Sequence, residues 1–376
     1  MKVGLNLLHV RPEMGGGWNY IENILEVLPL LEKSFHFVAY CTSMSAVIVP
    51  RNPRFEVKIV RLGGSQTRRV IFEQLILPFV AYQDRVDCIH WFANNCSLLG
   101  IIPSVVTIHD FKSIEEPQQG PRLRGLYMRQ TLRHSCRRAN VIAPISEVSA
   151  ESAQYIFNVP GERIVIVPNP LQPIFQHFPV EDLVEFRHRL KLPPQFWLYV
   201  AHLYPHKNHV RLFEAYKRLL ESGEGAWPLV LRGDGQKEKN ELMNVAMSLK
   251  IEDSVIWIPR ISAEDMAKLY SSATALVFPS LYEGCGIPVL EAMACGCPLI
   301  ASDIRTTREF AGDDAVMFEA TDVHAIFRAM HQFASDPTLR DAIAKRGLVR
   351  SKKYLPEGSV TMLRKAYRAA TSKRRS

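Results

Sequence analysis

Long apolar runs are absent from this chain. In 376 residues no stretch approaches the roughly 18–20 consecutive apolar side chains that a membrane-spanning helix needs, and the best candidate, residues 98–108, is interrupted by Gly100 and Pro103. Cysteine is sparse and unpatterned. Seven are scattered along the chain (Cys41, Cys88, Cys96, Cys136, Cys285, Cys295 and Cys297) with no paired C-x-x-C units, which argues against a zinc ribbon or disulfide scaffold and predicts reduced structural thiols. There is no solenoid repeat, Gly-x-Gly-x-x-Gly, P-loop or Asp-x-Asp, so dinucleotide, NTPase and aspartate-chelated metal readings have no support. The opening segment, Met-Lys-Val-Gly-Leu-Asn-Leu-Leu-His-Val, lacks the apolar core and cleavage site of a secretory signal, so a cytoplasmic protein is expected.

What is present is an ordinary globular balance, 47% hydrophobic and 22% charged, over a length that predicts two domains. The net charge of +8 comes from two segments without acids. Residues 118–140 hold Arg122, Arg124, Arg129, Arg133, Arg137 and Arg138; residues 358–376 hold Arg364, Lys365, Arg368, Lys373, Arg374 and Arg375. Arg129, Arg133 and Arg137 recur every four residues, one stripe on a helix, with Leu126 and Leu132 available for another face. Such a stripe suits a peripheral membrane surface or a phosphorylated acceptor; aromatic-interleaved RNA motifs are absent, so nucleic acid is not expected.

Apolar runs alternate with helical periodicity throughout, the pattern of parallel α/β sheets. Strands are expected at 3–9, 35–40, 55–60, 88–91, 104–109 and 141–144, then at 197–201, 228–232, 255–258, 275–279 and 298–301. Dense proline near 168–180 separates the sets. The expected architecture is two Rossmann-like doubly wound domains facing across a cleft. Domain one covers 1–170, domain two covers 171–355, and a basic helix, 356–376, ends the chain. Ligands in such sheets sit outside the carboxyl ends of the strands, which is where motifs should fall.

One such motif runs from Phe278 to Pro298 and contains Glu283-Gly-Cys-Gly-Ile-Pro-Val-Leu-Glu291. Gly284 and Gly286 let a loop backbone approach a ligand, and a helix opening at Pro288 offers unpaired N–H groups to a phosphate. Glu291 is placed in the first turn, within reach of a ribose diol; both acids also fit simple complementation of a helix dipole. Leu198 to His209 contains His202, His206, Lys207 and His209, whose spacing fails for a metal and fits an anion. Other strand ends carry His109-Asp110, Ser146 as a helix cap, Gly233 and Arg260-Ile261; the first loop carries Glu13-Met14-Gly15-Gly16-Gly17.

Two glutamates separated by seven residues, with these motifs in this order, resemble the retaining GT-B glycosyltransferases of glycosyltransferase family 4, in their mannosyl- or rhamnosyl-transferring branch. The resemblance implies a donor site in domain two and an acceptor site in domain one. Glu283 would meet donor-sugar hydroxyls and Glu291 the ribose. Gly284, Cys285, Gly286 and Ile287 would hold the diphosphate, with Lys207 neutralising it. Gly16 and Gly17 would lie near the diphosphate, His109 beside the reacting carbon, Gly233 under the nucleotide, and Arg260 and Ile261 against the base. The family commonly has Arg where His202 stands, which shifts neutralisation toward Lys207. The last helix would cross back to domain one. The expected partners are a GDP-linked donor and a saccharide or lipid-linked acceptor, with no resident metal or cofactor. A sugar-nucleotide epimerase and a non-catalytic basic binding protein remain alternatives.

Overall fold

The computed structural model describes residues 1–11, 16–111, 114 and 122–372, the side chains of 122–124 excepted. It divides into two compact units, Met1–Pro170 with Pro356–Ser376, and Leu171–Leu355. The fold is α/β in both.

The first unit holds β1 (Lys2–Asn6), β2 (His36–Cys41), β3 (Phe55–Ile59), β4 (Cys88–Trp91), β5 (Ser104–Ile108) and β6 (Val141–Pro144). They form one parallel sheet in the order β3-β2-β1-β4-β5-β6. β5 is buried at every position, as a strand covered on both faces must be. The helix Pro356–Ser372 packs on this sheet: its buried Tyr367 hydroxyl meets His90 Nδ1 at 2.9 Å, while His90 Nε2 meets Thr107 Oγ1 at 2.9 Å. Burial pushes the His90 imidazole down to about 3. Arg364 and Arg368 both reach Glu32, at 3.3 and 3.1 Å, so part of this helix's positive charge is spent within the unit.

The second unit holds β7 (Trp197–Val200), β8 (Leu229–Arg232), β9 (Val255–Ile258), β10 (Ala275–Phe278), β11 (Leu299–Ser302) and β12 (Val316–Phe318). Its parallel order, β12-β11-β10-β7-β8-β9, repeats the winding of the first. The helix His209–Ser222 turns Leu212, Phe213, Ala215, Tyr216 and Leu219 inward at helical spacing. β12 was not among the expected strands, because three residues after Asp313 and Asp314 carry no readable period. In this sheet the strand order reverses between β7 and β10, and loops leaving their carboxyl ends diverge to open a crevice.

Among the described residues no helix is long and apolar enough to cross a membrane. All seven cysteines are free and buried; burial pushes the thiols of Cys41, Cys136 and Cys297 up to about 12.

Candidate active site

The loops after β7 and β10 are tied together at that crossover. Leaving β7, the chain makes a short 3-10 turn over Pro205–Lys207 and enters the left-handed region at buried Asn208, φ 64°. Asn208 Nδ2 donates to the carbonyls of Pro279 (3.0 Å) and Ala320 (2.7 Å), and Leu281 N donates to His206 O at 2.8 Å. This clamp fixes Lys207, whose Nζ donates to Glu283 Oε1 at 2.6 Å. Both side chains are mostly buried, at 15% and 10% exposure, which makes the pair stiffer than a surface ion pair. Thr306 Oγ1 holds the Glu283 carbonyl at 2.8 Å.

Beyond Glu283, Gly286 takes φ 65° and caps the helix Ile287–Ala294 without any side-chain cap. The helix begins at Ile287, one residue ahead of Pro288, and its first turn carries no acid. Glu291 therefore belongs to the second turn, a correction to the expected placement, and dipole complementation is not its main role. Its Oε2 accepts the Tyr270 hydroxyl at 2.9 Å. Burial raises its carboxyl to about 7 against the opposing pull of Tyr270 and Arg232. A half-buried carboxylate with one oxygen committed and one spare can accept a diol; an uncapped helix start can accept a phosphate.

The remaining donor-side candidates divide by role. His202 is half-buried with a lowered pKa, first from burial, then from the nearby cations Lys207, Arg232 and Arg260 opposing Asp234. It stacks on Tyr204 at 5.7 Å. Arg260 is exposed and Ile261 partly so, just past β9. Cys285 is 5% exposed and packs inward. A Cβ on Gly233 would lie 2.2 Å from the Ala201 carbonyl oxygen, so this glycine is required by backbone packing between the loops after β7 and β8.

In the first unit His109 directly follows β5, half-buried, its ring edge-on to Tyr20 at 5.2 Å. Nε2 donates to the Phe92 carbonyl at 2.8 Å, which fixes the tautomer and leaves Nδ1 as an acceptor. Burial lowers its pKa, opposed by Phe92 and Asp110. Ser149 Oγ donates to the His109 carbonyl at 3.3 Å, and Ser146 caps the helix Glu147–Phe157 by accepting from Ser149 N at 3.1 Å. Gly16 opens the helix Gly16–Val27 with open space beside it, followed by Gly17. Glu13, Met14 and Gly15 lie outside the described residues, as do Lys373, Arg374 and Arg375 and the side chains of Arg122 and Arg124. On the helix Arg122–Arg138, Arg129, Arg133 and Arg137 are exposed as a stripe. Leu126 does not share a buried face with Leu132: the first is 48% exposed and the second 2%.

Two family models match this chain, one described as Glycosyl transferases group 1 over residues 181–350 and the other as Glycosyltransferase Family 4 over residues 14–173. The chain belongs to glycosyltransferase family 4. Among curated relatives of this glycosyltransferase is the O-antigen chain mannosyltransferase B of Escherichia coli, 29% identical over 266 residues and 70% of each chain. The serotype-specific mannosyltransferase WbdA of Escherichia coli is also 29% identical, over 62% of this chain; the match spans 29% of that longer protein. In fold it is similar to the sucrose-phosphate synthase of Thermosynechococcus elongatus, with TM-score 0.78, 20% identity, and 99% and 100% of the two chains covered. The two parallel sheets are those of the GT-B architecture.

Four site features of this family 4 enzyme escaped the sequence reading: Asn208, Tyr270, Thr306 and Arg232. Only Arg232 left a signal, a charge ending a buried strand immediately before a glycine. Among the described residues no group of three or more His, Cys, Asp or Glu side chains is arranged to hold a metal ion.

Proposed function

We propose that the enzyme transfers mannose or rhamnose, with retention, from a GDP-linked donor to a hydroxyl of a saccharide or lipid-linked acceptor in surface-polysaccharide assembly. The observation that carries this reading is the buried pair of Lys207 and Glu283 at the crossover of the second sheet, followed by an uncapped helix start and Glu291. The mannosyltransferases among its relatives support mannose as the sugar, and the O-antigen chain mannosyltransferase B supports the setting.

In this reading Glu291 takes the ribose hydroxyls and the N–H groups at Ile287 take the diphosphate. Glu283 accepts hydrogen bonds from the donor sugar. As the bond from the anomeric carbon to the phosphate oxygen breaks, charge builds on that oxygen, and fixed dipoles with the Lys207 ammonium stabilise it without reorganising. The acceptor oxygen bonds to the same face of the carbon, and its proton passes to the departing phosphate. His109 Nδ1 accepts a hydroxyl of the sugar as positive charge develops on the ring. No resident metal is required in this reading, since cationic side chains, Lys207 among them, and backbone dipoles do the neutralising. The exposed stripe of Arg129, Arg133 and Arg137 seats the enzyme on anionic headgroups at the inner face of the cytoplasmic membrane.

Calorimetric titration with GDP, UDP and ADP, and with their sugar conjugates, in metal-free buffer tests the donor. Binding confined to the guanine series and lost in Glu291→Ala is expected; equal binding by the variant overturns the ribose assignment. The anomeric configuration of the product, read by NMR, tests retention. Vesicles with and without anionic lipid test the stripe: replacing all three arginines by glutamine should weaken binding to anionic vesicles, by about 1 kcal/mol per residue, and unchanged binding removes the membrane role.

A further inference from the structure

Arg232 is the last residue of β8, in register with Val200 of β7. Its side chain is 15% exposed. Nη1 donates to Asp234 Oδ2 at 3.0 Å, while Nε is buried with no hydrogen-bond partner. A guanidinium N–H withdrawn from water without an acceptor is destabilising, and the missing partner must be an oxygen, preferably a charged one. The surroundings say which kind. Arg232 is close enough to Glu291 to steady its carboxylate, and it joins Lys207 and Arg260 in opposing protonation of His202. It is therefore near both the carboxylate assigned to the ribose and the His202 ring that Lys207 also approaches. Lys207 already shares its charge with Glu283, and His202 is held toward its neutral form. A diphosphate bringing at least two negative charges needs a further permanent cation.

We infer that Arg232 is a diphosphate-binding residue of this enzyme, its unpartnered Nε at the end of β8 donating to a phosphate oxygen. The inference rests on the donor reading above and adds to it a residue and a position. An arginine suits this place better than lysine, because its planar fork can keep Asp234 on one nitrogen while offering another to phosphate.

The test compares GDP, GMP and guanosine, with the uridine and adenosine series in parallel, on the full chain by calorimetry. Wild type, Arg232→Gln, Arg232→Lys and His202→Ala are measured, with melting temperatures taken without ligand. Loss of one charge-assisted bond predicts that Arg232→Gln weakens diphosphate binding by about 10–100-fold and nucleoside binding by less than about 3-fold. Arg232→Lys should recover part of the loss, and His202→Ala should lose less than Arg232→Gln. Equal diphosphate affinity in Arg232→Gln overturns the assignment, as does an equal loss for nucleoside and diphosphate, which would mark a structural role. If Arg232→Gln fails to fold, Arg232→Lys decides by the same comparison. A wild type that binds no nucleoside diphosphate overturns the donor reading itself, an outcome distinct from a wild type that binds and a variant that binds equally.

Discussion

The Tyr270 hydroxyl donates to Glu291 Oε2 at 2.9 Å, joining a fully buried phenol on the helix Ala263–Ser272 to a half-buried carboxylate on the helix Ile287–Ala294. The bond favours the ionised form, yet burial outweighs it and leaves the carboxyl at about 7. Near neutrality this group is ready to change charge when a ligand arrives.

The sign of its effect on stability follows. The native state holds this proton more tightly than the unfolded chain, whose carboxyl titrates near 4.5, so ligand-free stability falls as pH rises from about 4.5 to about 7 and is level above. Glu291→Gln removes that fall. It should stabilise the ligand-free protein at pH 8 by at most about 3 kcal/mol, reduced by water at the exposed edge, while weakening nucleotide binding. Melting curves from pH 4.5 to 8 check this, and parallel curves for both proteins would show that Glu291 is not the group responsible. Wild-type nucleotide affinity should rise with pH up to about 7, because a carboxylate accepts two ribose hydroxyls and a carboxylic acid does not.

Lys207 and Glu283 hold one another in place. Lys207→Met leaves Glu283 without its partner and should cost about 3–5 kcal/mol, whereas Lys207→Met with Glu283→Gln should recover much of that stability. Activity should not recover with it. Denaturant midpoints set beside turnover separate the two effects; a double variant as active as wild type would remove both residues from the reaction.

Gly233 is predicted to be intolerant of any side chain. A Cβ there would sit 2.2 Å from the Ala201 oxygen and 2.9 Å from Leu203 Cδ2, and the backbone has no cheap way to yield. Gly233→Ala should destabilise by about 2–4 kcal/mol, lowering Tm by roughly 5–15 °C. Gly16→Ala, facing open space, should stay within about 0.5 kcal/mol of wild type. If both variants melt with wild type, the close approach of the two loops is not as described.

His109 offers a neutral ring with its Nε2 hydrogen already committed to Phe92. Burial lowers its pKa from the ordinary histidine value, so no ionisation from this imidazole should shape the kcat profile between about pH 7 and 8. His109→Ala should lower kcat by about 10²–10³-fold and leave KM for the donor nearly unchanged. Should the variant lose a step in the wild-type profile within that range, His109 titrates during turnover and the neutral assignment is wrong.

Much of the fold is legible in local sequence. Strands buried on both faces appear as short apolar runs, helices as 3.6-residue periods, and prolines near 168–180 mark the irregular stretch ahead of the helix Val180–Arg189. The glutamates of the 283–291 motif are likewise visible because spacing along one loop and helix is a property of the chain alone. β12 was lost because three residues are too few to show a period. Leu126 resembled Leu132 on paper; which face of the Arg122–Arg138 helix is covered depends on what packs against it.

The site's chemistry was settled farther from the sequence. Lys207 and Glu283 are 76 positions apart and become partners only because β7 lies beside β10 and Asn208 bridges the carbonyls that follow. Arg232 acquires its unpartnered nitrogen, and Glu291 its raised carboxyl, from neighbours brought in by strand order and helix packing. The sequence alone determined which residue types stand at the strand ends. Tertiary structure decided which charges meet, because hydrogen bonding and desolvation act over a few ångströms of space, and two residues far apart in the chain reach that distance only through the register of the sheet.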